Sequence, residues 1–194
     1  MSKRIAFLSA AGFGALILTA AVVAPVSAQD KMMKSEMSGE KTVMVGGAAM
    51  FPSKNIIQNA VNSKDHTTLV AAVKAAGLVE TLEGKGPFTV FAPTNAAFGK
   101  LPAGTVDTLV KPENKSTLTK ILTYHVVAGK LEASSLTDGK KLKTVEGEEL
   151  TVKKSADKVM IVDAKGGSST VTIPNVNQSN GVIHVVDTIL MPAS

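Results

Sequence analysis

The chain has 194 residues, no cysteine, no tryptophan, one tyrosine and a formal net charge of +5. The absence of cysteine excludes disulfides, thiolate metal sites and cysteine nucleophiles. The charge is mild, the lysines are scattered and aromatic residues are few. No nucleic-acid interface is therefore predicted, because such interfaces combine a concentrated basic face with stacking aromatics.

The first predicted element is a cleavable signal peptide over residues 1–28. A short basic head precedes an uncharged run from Ile5 to Val23, which Pro25 and the small residues of Val26-Ser27-Ala28 follow. An uncleaved membrane anchor is the alternative, since the apolar run is nearly long enough to span a bilayer. The proline and the small-residue exit favour cleavage, and no lipobox cysteine follows. We therefore expect a secreted or periplasmic protein that is soluble, with no membrane span, after cleavage.

Residues 29–50 predict a flexible tail, rich in methionine and lysine and without a clear apolar period. Thioether sulfurs are soft ligands, so a copper(I) site in this tail is conceivable. No histidine or cysteine accompanies these methionines, which favours a simple tether. A single domain is predicted over residues 51–194, and no metal site is expected.

The first half of that domain predicts short helices around one buried strand. Asp65 is expected to cap a helix that Gly77 ends, with His66 at the surface of its first turn. Thr94 is expected to cap another helix after Pro93. The predicted segments are a helix at Asn55–Val61, a strand at Phe88–Ala92, a helix at Asn95–Leu101 and a helix at Lys115–Tyr124.

The second half changes to an apolar period of two, which is typical of strands. The predicted strands are Lys141–Val145, Glu148–Val152, Val159–Val162, Thr170–Ile173 and a central strand within Val182–Leu190. Glu146-Gly147 is the expected hairpin turn between the first two. Helices first and a β-meander second predict the α+β class rather than alternating βαβ units.

Three stretches in order, residues 86–98, 124–127 and 180–187, resemble the signatures of the fasciclin domain family. The resemblance covers Ser53–Pro192. It implies a wedge of about seven β-strands with a layer of short helices packed on it. It also implies a monomeric, non-catalytic adhesion module without cofactor, whose partner is a cell-surface or matrix protein or a polysaccharide. The alternative that the resemblance leaves open is a carrier of an apolar small molecule such as a carotenoid or lipid.

The resemblance also indicates site residues. The tyrosine–histidine motif of animal relatives, associated there with integrin binding, corresponds to Tyr124 and His125, with Leu122 and Val126 beside them. Tyr124 lies off the apolar stripe of its helix and is expected to expose its hydroxyl to a partner, whereas a structural role is favoured for His125. The signature residues with expected structural roles are Thr94, Asn95, Asn180, Gly181 and His184, the last as a core residue.

A second adhesion motif of animal relatives matches Ile173–Asn177, but Asn175 stands where the family has an acidic residue. Because an integrin needs a carboxylate for its metal ion, direct integrin recognition is not expected. Ser168, His184 and Asp187 are the residue types of a catalytic triad. The segment around Ser168 lacks the strand–turn–helix context of a nucleophile, and an enzyme is not predicted.

Six lysines gather around the meander, at positions 140, 141, 143, 153, 154 and 158. One interpretation is a weakly cationic surface for an acidic polysaccharide or lipid. The other, which the sequence favours, is that solvated lysines on an edge strand prevent sheets from associating.

Overall fold

The computed structural model describes residues 41–156 and 158–193, so the predicted signal peptide at 1–28 lies outside the described residues. The strands are β1 (Val43–Val45), β2 (Ala48–Met50), β3 (Phe88–Pro93), β4 (Val126–Ala128), β5 (Lys141–Lys143), β6 (Glu149–Ser155), β7 (Lys158–Val162), β8 (Ser168–Gln178) and β9 (Gly181–Val186). The α-helices are α1 (Ile56–Ala60), α2 (Thr67–Ala76), α3 (Val79–Glu83), α4 (Asn95–Gly99), α5 (Thr105–Leu109) and α6 (Lys115–Tyr124). Short 3₁₀ turns occupy Lys64–His66, Pro112–Asn114 and Ala133–Ser135.

Local chemistry sets the ends of several helices. Asn55 and Gln58 form a reciprocal capping box at the start of α1. Gly77 ends α2 in the left-handed conformation with φ of 73°, as expected for a glycine in this position. The predicted cap at Asp65 is wrong, because a 3₁₀ turn over Lys64–His66 precedes α2 and no side chain caps either element.

The main sheet has seven strands in the order β4-β3-β9-β8-β7-β6-β5. Strands β3 and β9 are parallel, with Phe91 opposite His184, and the other neighbours are antiparallel. The two edges approach each other, since Val127 of β4 forms a bridge with Thr144 next to β5 and the Val145 N–H donates to the Val126 carbonyl over 2.7 Å. The predicted α+β class and wedge of about seven strands with packed helices are confirmed.

Strand β9 is buried along its whole length because it has a hydrophobic cluster on each face. Ile183 and Val185 belong to the helix-covered cluster, which includes Ile56, Leu69, Ala72, Val73, Val90, Phe98, Leu118, Ile121, Leu122 and Val126. Val186 belongs to the sheet-enclosed cluster, whose other members are Phe91, Tyr124, Val127, Leu136, Leu142, Leu150, Val152, Ile161 and Leu190. This two-sided burial explains the nearly unbroken apolar sequence of the last strand.

The structure corrects the predicted flexible tail at its C-terminal end. Residues 43–50 form the hairpin β1–β2, whose Val45 and Met50 are each only 3% exposed and pack into the helix-covered cluster. Gly46 and Gly47 both have positive φ, as a tight two-residue hairpin turn requires. The folded part therefore begins before residue 51, and residues 29–40 lie outside the described residues.

Candidate functional site

Tyr124, predicted to present its hydroxyl to a partner, is fully buried instead. Its ring lies in the sheet-enclosed cluster. The hydroxyl accepts a hydrogen bond from the Ala164 N–H over 2.9 Å and lies 3.5 Å from the Glu149 carbonyl oxygen, to which it donates. Burial raises the pKa of the phenol. The predicted exposure of this residue is wrong, because the last turn of α6 is covered by the sheet on the side that the helical stripe leaves free.

His125, the residue after Tyr124, is buried and has both ring nitrogens hydrogen-bonded. Nδ1 donates to the Ile121 carbonyl over 2.8 Å, and Nε2 accepts from the Leu190 N–H over 3.0 Å, an assignment of the tautomer that follows from these partners. Burial lowers the pKa of His125 from 6.5 to about 4. The neutral imidazole therefore joins α6 to the C-terminal segment, which is the structural role favoured from the sequence.

Leu122 and Val126, the remaining residues of the predicted partner site, are only 5% and 6% exposed. Both belong to the helix-covered cluster, whereas Tyr124 belongs to the sheet-enclosed one. The tyrosine–histidine motif and its neighbours therefore contribute side chains to both clusters and connect them. A partner that binds the folded protein cannot contact these four side chains directly, so any partner-binding surface lies in another part of the molecule.

His184 is a core residue, as predicted, with no exposed surface. Its ring stacks on Phe91 with 5.7 Å between centroids. Nε2 donates to the Leu131 carbonyl over 2.8 Å, and Nδ1 accepts from the Asn175 N–H over 3.3 Å. Burial lowers its pKa, so it remains a neutral donor and acceptor in the interior.

Asn175, at the position of the family's acidic residue, has a structural role here. Its backbone has a positive φ of 57° at an irregularity of β8, and its Oδ1 accepts from the Ala133 N–H over 2.7 Å. Asparagine tolerates this left-handed conformation better than most residues. Together with His184, it fixes the segment around Leu131 against the sheet.

Thr94 and Asn95 hold the start of α4, as their predicted structural role implies. The Thr94 hydroxyl accepts from the Ala97 N–H over 3.3 Å, which is the predicted cap. The Asn95 side chain accepts from the Thr68 N–H over 3.0 Å and donates to the Lys64 carbonyl over 2.8 Å. It therefore ties α4 to the beginning of α2.

Asn180 and Gly181 connect the start of β9 to the helices. Asn180 accepts from the Ile56 N–H over 3.1 Å and donates to the Leu82 carbonyl over 2.7 Å. A Cβ on Gly181 would overlap the Phe88 carbonyl of the neighbouring strand, so only glycine fits. Both residues position the backbone and use their contacts for that purpose.

His66 was predicted at the surface, and that prediction is wrong because it is 3% exposed. Its Nδ1 lies 2.9 Å from the Ser63 hydroxyl, whereas Nε2 has no hydrogen-bond partner. Burial lowers the pKa of His66, and the nearby backbone of Ala92 partly opposes this lowering. The ring lines a cavity of about 40 Å³ in the helix-covered cluster. Pockets for drug-sized ligands measure about 300–1,000 Å³, so a carotenoid does not fit into this cavity.

The structure does not assemble the triad drawn from Ser168, His184 and Asp187. Both ring nitrogens of His184 are engaged by backbone groups, and Asp187 accepts from the Thr170 N–H over 2.9 Å. Among residues 41–156 and 158–193, no group of three histidine or acidic side chains could hold a metal ion. In the same residues, no helix is long and apolar enough to cross a membrane.

Comparison with known proteins supplies the family. The sequence model described as "Fasciclin domain" matches residues 64–192. Protein sll1483 of Synechocystis is 49% identical over 153 residues, which cover 79% of this chain and 82% of the relative. Immunogenic protein MPT70 of Mycobacterium tuberculosis is 34% identical over a match that covers 99% of this chain and 98% of the relative. The cell surface glycolipoprotein MPB83 of Mycobacterium bovis is 35% identical over a match that covers 91% of this chain and 78% of the relative.

Among solved structures, the chain is similar to a FAS1 domain pair from the insect cell adhesion molecule Fasciclin I. The TM-score is 0.65 at 19% identity, covering 73% of this chain and 52% of that one. The chain thus spans about half the length of the domain pair, and the likeness concerns the fold.

Proposed function

Because the chain belongs to the fasciclin domain family, we propose that it is an exported adhesion module that binds a cell-surface or matrix partner without catalysis. The observation that carries this proposal is the match of the family to residues 64–192, together with a relative described as a cell surface glycolipoprotein. The signal peptide predicted from the sequence is consistent with such an address.

The interior supports a binding role rather than a chemical one. His125 and His184, the residues best suited to proton transfer, are buried and engaged by backbone groups. A general base must reach its substrate, and neither ring has a surface through which a substrate could approach. Recognition therefore takes place on the outside of the fold.

A carrier of an apolar molecule is the competing function. The cavity beside His66 is apolar, but its volume of about 40 Å³ is below the 150 Å³ or so that holds a benzene molecule. Entry of a carotenoid or lipid into this cavity would require the helices to separate from the sheet. This requirement makes surface adhesion the better supported function.

The test is binding of the exported protein, recovered from the medium or periplasm of an expressing bacterium, to isolated cell envelopes and host matrix. We expect saturable binding that unlabelled protein competes, and an N-terminus at Gln29. Tyr124→Phe, shown to remain folded, is expected to bind as the parent does, because this ring has no exposed surface. Unsaturable binding to every surface, or a lipid or pigment that co-purifies in stoichiometric amount, would contradict the proposal.

A further inference from the structure

The outward face of strands β5–β7 concentrates positive charge. Antiparallel register pairs Lys141 with Thr151, Lys143 with Glu149, Thr151 with Val162, Lys153 with Met160 and Ser155 with Lys158. Residues directly opposite each other in such a pair share one face of the sheet. These nine residues are called the lysine face below, and they include four lysines and a single acidic residue.

The opposite face of the same strands is among the most deeply buried parts of the molecule. Leu142, Leu150, Val152 and Ile161 are at most 2% exposed and belong to the sheet-enclosed cluster. Alternation along a strand then requires the lysines to point outward. All four lysines are exposed, so the lysine face is a solvent-facing surface of strands whose opposite face is buried in the core.

Protection of a sheet edge does not account for Lys153 and Lys158. Lys153 lies on β6 and Lys158 on β7, and each of these strands has a neighbour on both sides in the sheet. The edge strand β5 is itself followed by the Thr144 bridge to β4. Lysines that only prevent edge-to-edge pairing are needed at the open edge and not on interior strands.

The charge on this face is largely uncompensated. Lys141 pairs with Glu149 over 3.2 Å, but both side chains are more than half exposed and such a pair is weak in water. Within the part of the chain that the structure describes, no carboxylate lies within ion-pair distance of Lys143 or Lys153. Asp157, which precedes Lys158 in the sequence, lies outside the described residues.

We propose that the lysine face binds an acidic polysaccharide, an inference that rests on the proposed adhesion function and names its partner class. Lys141 and Lys143, two positions apart on β5, are about 7 Å apart, and Lys153 and Lys158 lie on the next two strands, which are spaced about 4.8 Å apart. Such a staggered row of positive charges is complementary to the repeated carboxylates of an extended uronic-acid chain. The Thr151 and Ser155 hydroxyls donate to the same carboxylates, and the half-buried Met160 gives sugar C–H groups an apolar contact.

A polysaccharide fits this face better than a lipid surface. A peripheral membrane site combines positive charge with large apolar side chains that enter the headgroup region. Among the described residues, the most exposed large apolar side chains are Met44, Val61 and Val145, and only Val145, just beyond β5, is close in sequence to the face. One valine provides little apolar surface for insertion.

The experiment compares the exported protein with two variants that carry the same change in charge. The face variant is Lys141→Gln, Lys143→Gln, Lys153→Gln and Lys158→Gln. The control variant is Lys64→Gln, Lys74→Gln, Lys111→Gln and Lys115→Gln, four exposed lysines on or beside the helices. Binding to immobilised alginate is measured at about 25 mM and about 250 mM salt, with neutral dextran and anionic phospholipid vesicles as other ligands.

We expect the face variant to bind alginate about tenfold more weakly and with a smaller salt dependence, as loss of phosphate contacts does for nucleic-acid binders. The control variant is expected to change affinity by less than about twofold. Glu149→Gln removes the only acid of the face and is expected to tighten binding. This gain keeps the proposal testable if the quadruple face variant fails to fold.

Equal losses in both quadruple variants would overturn the proposal, since net charge alone would then explain binding. Binding to dextran as strong as to alginate, or to vesicles in place of alginate, would also overturn it. A parent that binds envelopes saturably but not alginate refutes this partner class and leaves the adhesion function standing. A parent that binds neither envelopes nor matrix refutes the adhesion function itself.

Discussion

The two hydrophobic clusters on either side of β9 differ in how completely they are filled. The sheet-enclosed cluster is shut by the approach of β4 to β5, and the Tyr124 hydroxyl within it has a hydrogen-bond partner. The helix-covered cluster contains a cavity of about 40 Å³ and the unpartnered Nε2 of His66. Hydrogen bonds between strands hold a closed sheet, whereas short helices are held to the sheet mainly by side-chain packing. We therefore expect the helix-covered cluster to tolerate changes in side-chain volume better than the sheet-enclosed one.

The largest expected effect compares the same truncation in the two clusters. Leu150→Ala, in the sheet-enclosed cluster, is expected to cost about 4–5 kcal/mol, because the surrounding strands cannot collapse into the space. Leu69→Ala, which enlarges an existing cavity beneath helices that can shift, is expected to cost about 2–3 kcal/mol. Urea unfolding measures both, and equal losses would show that the clusters do not differ in this way.

The next effect concerns pH and the histidine at the boundary between the clusters. The pKa of His125 is about 4 in the folded protein and 6.5 in the unfolded chain. The unfolded state therefore binds the proton first as pH falls, and about 3 kcal/mol of stability is lost between pH 6.5 and 4. Above pH 6.5 this contribution is fully present. The pKa of His66 and that of His184 are also lowered by burial, which adds to the loss in the same direction.

The measurement is the free energy of unfolding at several pH values, in the parent and in His125→Gln. Glutamine can donate and accept hydrogen bonds but does not titrate, so the variant should show a smaller loss of stability between pH 6.5 and 4. An unchanged pH dependence in His125→Gln would show that other groups are responsible.

A smaller effect comes from adding a methylene group in each cluster. Val152→Ile is expected to destabilise by about 1–2 kcal/mol, because Val152 is fully buried and an extra methylene in a packed interior forces its neighbours to shift. Val73→Ile, which points into the lining of the cavity, is expected to be neutral or slightly stabilising. A loss of similar size in both variants would mean that the cavity is not available to side chains.

The smallest expected effect tests a cap that supports the helix-covered cluster from outside. Thr94→Ala removes the acceptor for the Ala97 N–H at the start of α4 and is expected to cost about 1 kcal/mol. Thr94→Ser keeps the acceptor and should restore most of that stability. If serine fails to restore it, the methyl group rather than the hydroxyl matters at this position.

Sequence patterns predicted the strands better than the surroundings of single residues. Period-two alternation found β6 and β7, and the unbroken apolar run found the central strand β9. The hairpin β1–β2 was missed because its strands are three residues long and lie beside a low-complexity stretch. Two adjacent glycines with apolar residues on either side were the signal that could have revealed it.

The candidate site was harder to predict for a physical reason. A helical stripe identifies the face that packs on one layer, but the end of α6 is enclosed by two layers, so Tyr124 is buried although it lies off the stripe. His66 was misplaced because the 3₁₀ turn before α2 rotates it inward relative to a regular helix. His184 was placed correctly, since a histidine within an apolar strand is usually a hydrogen-bonded core residue.

The parallel pairing of β3 with β9 also bears on when this protein can fold. Strand β3 lies in the first half of the chain and β9 close to its C-terminal end, and both clusters need β9 as their common wall. Contacts between such distant segments form slowly. A nascent chain that still lacks β9 therefore lacks the common wall of both clusters and cannot complete either part of its core.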